Sequence, residues 1–231
     1  MDIDKIVKKA VMILARQGIQ PSFVDKKIAY RTNEKPGGPW IYLEYSDHNC
    51  TYLRTFLYNC VSKQLPKAEQ FIPMECQNCY KVVAKPTSLT DLMELKHIME
   101  EMGFAGKCGI EKRESVDALY GGYWYCNNKE EGLLRLKQAK ESLYGTGIPC
   151  FLKRGCTEYE QEFGPSNKWE VKPGQEELEK GVFKRVSLDN SKRSQTESDK
   201  LEIIKSWEAF AVEMGPEYVG SHNYITYGEN K

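Results

Sequence analysis

The chain lacks the features that mark several common classes of protein. Only three of its 231 residues are histidine, and no apolar run approaches the roughly 18 residues of a membrane-spanning helix. Because 33 basic residues balance 33 acidic ones, no net charge draws the chain toward nucleic acid or anionic lipid. Nicotinamide, P-loop, H-E-x-x-H and G-x-S-x-G motifs are missing. We therefore expect no membrane partner and none of the catalytic centres that these motifs form.

Residues 1–18 predict an amphipathic helix and not a secretion signal. Apolar residues recur at three- and four-residue intervals from Ile3 to Leu14, with charged residues between them. A secretion signal would need an uninterrupted apolar core. The sequence thus predicts a cytoplasmic protein. Disulfides are rare in the cytoplasm, where a pattern of cysteines more often indicates metal binding or catalysis.

Residues 75–158 alternate between strand-like and helix-like stretches. Ser88 and Asp91 have the spacing of a capping box before the first helix, and Asn128 and Glu131 repeat it before the second. This series is typical of the α+β class and predicts a ferredoxin-like β-α-β-β-α-β core whose antiparallel sheet has the order 4-1-3-2. The predicted strands are 79–85, 106–113, 118–126 and 148–154, and the predicted helices are 90–102 and 129–143.

Two segments flank this core. Residues 1–74 are interpreted as a helical and irregular N-terminal part that packs on the core. Residues 159–231 are interpreted as a C-terminal extension, with a polar linker at 187–199 and an amphipathic helix at 200–215. The sequence therefore predicts one core domain with two additions.

Five of the eight cysteines fall at one end of the predicted sheet. Because the first and second strands run opposite to the third and fourth, two strand starts and two strand ends share that end. Cys150 lies at the other end of the fourth strand. The five are Cys76 and Cys79 at the start of the first strand, Cys108 early in the second, Cys126 at the end of the third and Cys156 just after the fourth.

This cysteine pattern favours a metal or cluster site. Cys76 and Cys79 form the only C-x-x-C motif, which lets two thiolates hold one metal or two cluster irons from a tight turn. The other cysteines come singly from separate strands, which suits the corners of a cubane. A zinc site, and buried or free thiols without metal, are the alternatives. We predict a [4Fe–4S] cofactor with the ligands Cys76, Cys79, Cys126 and Cys156, and with Cys108 as a substitute or spectator.

Two cations, Lys153 and Arg154, come shortly before Cys156. They are the predicted catalytic residues, since they could hold a phosphate or carboxylate of a small anionic substrate. Cations beside a thiol also favour its thiolate, so Cys156 could instead be the nucleophile of a metal-free enzyme. The leading hypothesis is an enzyme of redox or sulfur chemistry whose partner is a small anionic substrate or an electron-donor protein.

The third predicted strand carries the aromatic run from Tyr120 to Tyr125. In RNA-recognition domains this strand presents the aromatic residues on which bases stack. The motif here lacks its basic first residue and contains a Gly-Gly pair. A zinc-stabilised RNA-binding module that uses Tyr123 and Tyr125 is therefore the second hypothesis, and nucleic acid is a possible partner that the sequence does not favour.

Overall fold

A computed structural model of the chain describes residues 2–17, 21–24, 27–30, 38–43, 52–114, 116–188 and 195–220, and it is an α+β protein. Within these residues no helix is long and apolar enough to cross a membrane. The helices are α1 (Ile3–Arg16), the π-helix Tyr52–Val61, α2 (Met74–Asn78), α3 (Leu89–Met102), α4 (Lys129–Ser142), α5 (Thr157–Phe163), α6 (Gln175–Phe183), α7 (Glu197–Met214) and α8 (Pro216–Val219). The strands are β1 (Pro21–Val24), β2 (Lys27–Tyr30), β3 (Trp40–Tyr42), β4 (Tyr80–Ala84), β5 (Gly106–Ile110), β6 (Tyr120–Cys126), β7 (Cys150–Arg154) and β8 (Val186–Leu188).

The main sheet has five strands in the order β3-β5-β6-β4-β7, and every neighbouring pair is antiparallel. Strand β4 pairs with both β6 and β7, so Val82 lies opposite Trp124 on one side and Leu152 on the other. The predicted four-stranded sheet of order 4-1-3-2 is therefore corrected. Counted along the chain, the five strands lie in the order 1-3-4-2-5.

The added strand is β3, which pairs with β5 through the residue pairs Trp40–Gly109, Ile41–Cys108 and Tyr42–Lys107. The apolar stretch at Trp40 predicts a strand, but no local signal identifies a partner so far along the chain. The four strands of the sequence prediction keep the neighbours expected for them: the fourth beside the first, the first beside the third, and the third beside the second.

Helices α3, α4 and α7 pack against one face of this sheet. The Ser88 hydroxyl accepts a hydrogen bond from the Asp91 amide at 3.1 Å, and the Asp91 carboxylate accepts one from the Ser88 amide at 3.2 Å, which completes the predicted capping box. Asn128 accepts from the Glu131 amide at 2.8 Å and begins α4 in a similar way. We call the apolar contact layer the sheet core; its members include Val82, Leu92, Leu95, Met99, Cys108, Tyr120, Trp124, Ile203 and Trp207.

A second apolar cluster, the N-terminal core, joins parts of the chain that are distant in sequence. In the part interpreted as helical and irregular, the π-helix is followed by a short 3-10 helix, Ser62–Gln64, and α1 packs on the π-helix. Helix α6 falls in the C-terminal extension, yet it packs against α1. The members of the N-terminal core include Val7, Leu14, Phe56, Leu57, Cys76, Tyr159, Trp169, Leu178 and Val182.

A buried carboxyl group on α6 holds the start of α2. Glu179 is almost fully buried and accepts hydrogen bonds from the Met74 amide at 3.1 Å and from Gln175 Nε2 at 2.7 Å. Burial raises the pKa of Glu179, with a smaller contribution from nearby Glu75, and the hydrogen bonds from Gln175 and Met74 oppose this rise. The folded state therefore holds this proton more tightly than the unfolded state does.

This carboxyl group should make the stability of the protein depend on pH. A raised pKa in the folded state gives a contribution that is complete below the ordinary value of 4.5 and is lost as the pH rises through the folded-state pKa. We expect the stability of the Glu179→Gln variant, relative to the wild type, to increase from pH 4.5 to pH 7.5. Urea denaturation across this range would measure the difference, and a pH-independent difference would contradict the assignment.

Candidate functional site

The start of β4 and the ends of β6 and β7 meet at one end of the main sheet. Tyr80 pairs with Cys126 on one side and with Arg154 on the other. Just beyond, the Gly155 amide donates a hydrogen bond to the Cys79 carbonyl at 2.8 Å. The backbones that carry Cys79, Cys126 and Cys156 are therefore close together.

The cysteine side chains do not converge in the same way. Cys126 is buried on the side of the sheet that faces α4 and Arg135, whereas Cys76 is buried in the N-terminal core beside Tyr159. Cys79 is buried at the C-terminal cap of α2. Cys108 lies in the middle of β5, within the sheet core and near α3. Cys76 lies on α2 and Cys79 caps that helix, so neither starts a strand as predicted, whereas Cys108 and Cys126 lie on strands.

The predicted cluster stays a prediction, because these positions do not form a ready set of ligands. In the part of the chain that the structure describes, no group of three or more His, Cys, Asp or Glu side chains could hold a metal ion. Burial raises the pKa of Cys108 to about 12 and that of Cys126 to about 11. Such thiols are protonated at neutral pH and pack as small apolar side chains.

The two predicted catalytic cations both have partners within the protein. Lys153 forms an ion pair with Glu160. Arg154 donates to the Gln77 and Ser166 carbonyls, both at 2.6 Å, and its guanidinium lies 5.7 Å from the centroid of the Trp169 ring. In this arrangement Arg154 ties the end of β7 to the segment before β4 and to the one after α5.

A different cation approaches the cysteine. The Lys81 ammonium lies 3.8 Å from Cys156 Sγ, to which it donates, and 5.5 Å from the centroid of the Tyr123 ring. The Lys81 residue is only 6% exposed, and among the described residues no carboxylate lies within ion-pair distance of it. Cys156 itself is partly exposed, immediately before α5. Lys81 and Cys156 thus form a thiol–ammonium pair between two elements that are far apart in sequence.

The Tyr123 ring is the centre of a buried polar cluster. Its hydroxyl donates to Glu111 at 2.8 Å and accepts from Arg113 at 3.1 Å, and Arg113 also binds Glu111. Burial raises the pKa of Tyr123, and the Glu111 carboxylate raises it further. Since Tyr123 is only 5% exposed, its ring is covered on the sheet face where base stacking would need it open. Tyr125 is partly exposed.

Glu158 connects this cluster to the cysteine segment. It lies in the first turn of α5, and its Oε1 is 3.2 Å from Arg54 and 3.4 Å from Arg113. Burial acts to raise the pKa of Glu158, but its own backbone amide and the two guanidiniums lower it below the ordinary value. The second carboxylate oxygen is buried and has no hydrogen-bond partner among the residues that the structure describes. The cluster therefore has one ionised acceptor that is not fully bonded.

A sequence signal for Lys81 does exist. The stretch from Tyr80 to Ala84 is apolar except for Lys81, and alternation along β4 places Lys81 and Val83 on the face away from Val82. A lysine inside a central strand is unusual, because charged side chains are seldom buried without a partner. The sequence prediction chose Lys153 and Arg154 instead, because they come shortly before Cys156 in the chain.

Comparison of the chain with protein-family models, with curated proteins and with solved structures finds no match. Its site is therefore interpreted from its own residues.

Proposed function

We propose that this protein is a thiol-dependent enzyme in which Cys156 is the nucleophile and Lys81 is the counter-ion of its thiolate. The observation that carries the proposal is the 3.8 Å contact between Lys81 Nζ and Cys156 Sγ. The proposed substrate is a small anionic molecule with an electrophilic centre that the sulfur attacks. This proposal retains the sequence hypothesis of sulfur chemistry on a small anionic substrate. The cation beside the sulfur is Lys81 in place of Lys153 and Arg154.

The burial of Lys81 supports this role. Removing an ammonium group from water costs several kcal/mol unless an anion accompanies it. The described contacts of Lys81 Nζ are a thiol and an aromatic ring, and only the thiol can become an anion at moderate pH. Cys156 is therefore the group in these contacts that can accompany the charge of the buried lysine.

The same pair explains why the substrate is expected to be anionic. When the sulfur forms a bond to an electrophilic centre, its negative charge is lost. The Lys81 ammonium then faces the substrate, where it stabilises a negative group in the adduct or on the leaving atom. Arg113 lies 5.9 Å from the centroid of the Tyr123 ring but is paired with Glu111, so this role falls to Lys81.

Alkylation with iodoacetamide tests the pair directly. Two unit charges about 4 Å apart attract each other by roughly 1 kcal/mol in water and by more when partly buried. We expect Lys81→Met to slow alkylation of Cys156 at neutral pH about tenfold or more. The matched control is Lys85→Met, since Lys85 follows the same strand and lies against the Phe151 ring instead. Peptide mapping would identify the labelled cysteine, and equal rates in both variants would contradict the proposal.

The [4Fe–4S] cluster and its zinc alternative are decided by metal analysis. If the sequence hypothesis holds, anaerobically purified protein contains iron and acid-labile sulfide in near-equal amounts, and Cys76→Ser or Cys79→Ser removes most of both. Cys60→Ser and Cys150→Ser are the controls. Zinc without iron would support the zinc site. Protein that contains no metal, and whose Cys156 reacts with iodoacetamide, would support the thiol-dependent enzyme.

A further inference from the structure

We propose that Cys76 is the resolving cysteine for Cys156, so that the protein reduces hydroperoxides and stores the oxidising equivalents as a Cys76–Cys156 disulfide. The inference rests on the nucleophile of the proposed function and not on its anionic substrate, and it adds a second thiol, an oxidant and a product. It gives the first cysteine of the C-x-x-C motif a role that does not need a metal.

The two cysteines adjoin the same buried tyrosine. The Tyr159 hydroxyl donates to Cys76 Sγ at 3.8 Å, and Cys156 packs against the N-terminal core that contains both Cys76 and Tyr159. Burial raises the pKa of Tyr159, and charge on Cys76 and then on Cys156 raises it further, as expected when both sulfurs lie near its hydroxyl. Tyr159 thus lies near both thiols.

The backbones of the two cysteine segments also touch. Besides the hydrogen bond between the Gly155 amide and the Cys79 carbonyl, a β-carbon added to Gly155 would lie 3.4 Å from the Cys76 carbonyl oxygen. Gly155 has a φ of 62°, a conformation that glycine adopts readily. It comes directly before Cys156, at the point where the chain leaves β7 for α5. Glycine at this position therefore allows the chain to turn directly before Cys156.

Cys156 is more exposed than Cys76, as the reaction requires. Cys156 is partly exposed and beside the Lys81 ammonium, so it is the thiol that meets the oxidant first. Cys76 is buried and hydrogen-bonded, so it is protected from the oxidant and reacts only with a neighbouring sulfur. This is the division between an attacking and a resolving cysteine.

The chemistry balances with the hydroperoxide as the only oxidant. The Cys156 thiolate attacks the terminal peroxide oxygen, the S–O bond forms as the O–O bond breaks, and the departing alkoxide or hydroxide takes a proton from water. Cys156 is then a sulfenic acid. The Cys76 sulfur attacks it, an S–S bond replaces the S–O bond, and the hydroxide that leaves combines with the Cys76 proton as water. A dithiol such as dithiothreitol returns the disulfide to two thiols.

One equivalent of hydrogen peroxide, added to the reduced full chain, tests the assignment. We expect most molecules to lose two hydrogen atoms and to yield a peptide that links Cys76 to Cys156. Cys150→Ser should behave like the wild type. In Cys76→Ser the disulfide should be absent, and dimedone should trap a sulfenic acid on Cys156 in at least about tenfold greater yield than in the wild type.

Two results would overturn the proposal, and they differ from failure of the nucleophile. A Cys76–Cys79 disulfide, or a Cys156 sulfenic or sulfinic acid that accumulates in the wild type while Cys76 stays reduced, would show that Cys76 does not resolve Cys156. If Cys156 reacts with neither peroxide nor iodoacetamide, the nucleophile itself is wrong. Because iodoacetamide needs no second thiol, it separates the two cases.

Discussion

Replacement of Trp207 by alanine is expected to lower the free energy of unfolding by about 3–5 kcal/mol. The indole is completely buried in the sheet core, where it fixes α7 against the sheet. Its Nε1 also donates to the Pro39 carbonyl at 2.8 Å, next to the first residue of β3. The substitution therefore removes a large apolar group and one link between α7 and the added strand.

Urea denaturation would measure this loss, and Leu201→Ala on the same helix is the matched control. Leu201 is 60% exposed, so its truncation should change the stability by no more than about 0.5 kcal/mol. In Trp207→Phe, loss of the hydrogen bond should lower the free energy of unfolding by only about 1 kcal/mol, in addition to the effect of the smaller ring. The loss is small because the Pro39 carbonyl keeps a second donor, the Ile110 amide at 3.1 Å. A loss below about 1 kcal/mol in Trp207→Ala would show that α7 does not share the sheet core.

Substitution of Gly155 by alanine is the other large effect that we expect, at about 2–4 kcal/mol of lost stability. Its φ of 62° already favours glycine, and an added β-carbon would lie 2.4 Å from the Trp169 ring. Gly145→Ala separates the two causes: Gly145 has a φ of 87°, but no atom of the described part of the chain lies within 4 Å of the added carbon. That control should lose only about 1 kcal/mol.

The Gly155→Ala variant also reports on the site. To relieve the clash, Trp169 or the segment before Cys156 must move, which would separate the thiol from Lys81. We expect slower alkylation of Cys156 in Gly155→Ala than in Gly145→Ala at a pH where both variants are folded. Equal stability of the two variants would contradict the packing described for Trp169.

Periodicity and capping residues predicted the central elements well. Helices α3 and α4 have the N-caps Ser88 and Asn128 as expected, because their capping signals are local. Helix α6 was missed. Its Gly181 reads as a helix breaker, but a β-carbon there would lie 2.3 Å from the Ile3 side chain, so the glycine permits the close approach of α1.

The candidate site was less accessible to prediction. The sheet end that gathers the cysteines follows from strand directions, which the alternation of elements indicates. Cys76 lies on α2, a short helix that no periodicity predicts, and its burial in the N-terminal core separates it from Cys126 on β6. The pairing of Lys81 with Cys156 joins residues on β4 and after β7, and no spacing rule connects them.

Strand β7 has a consequence for solubility during folding and storage. It is the last strand of the main sheet, and no strand in the described part of the chain pairs with its outer side. Such an edge can recruit the edge of another molecule and begin aggregation. The strand has only five residues and follows Pro149, and short length and proline both discourage that pairing. Because Lys153 and Arg154 are engaged within the protein, the brevity of the strand is what keeps this edge from recruiting another molecule.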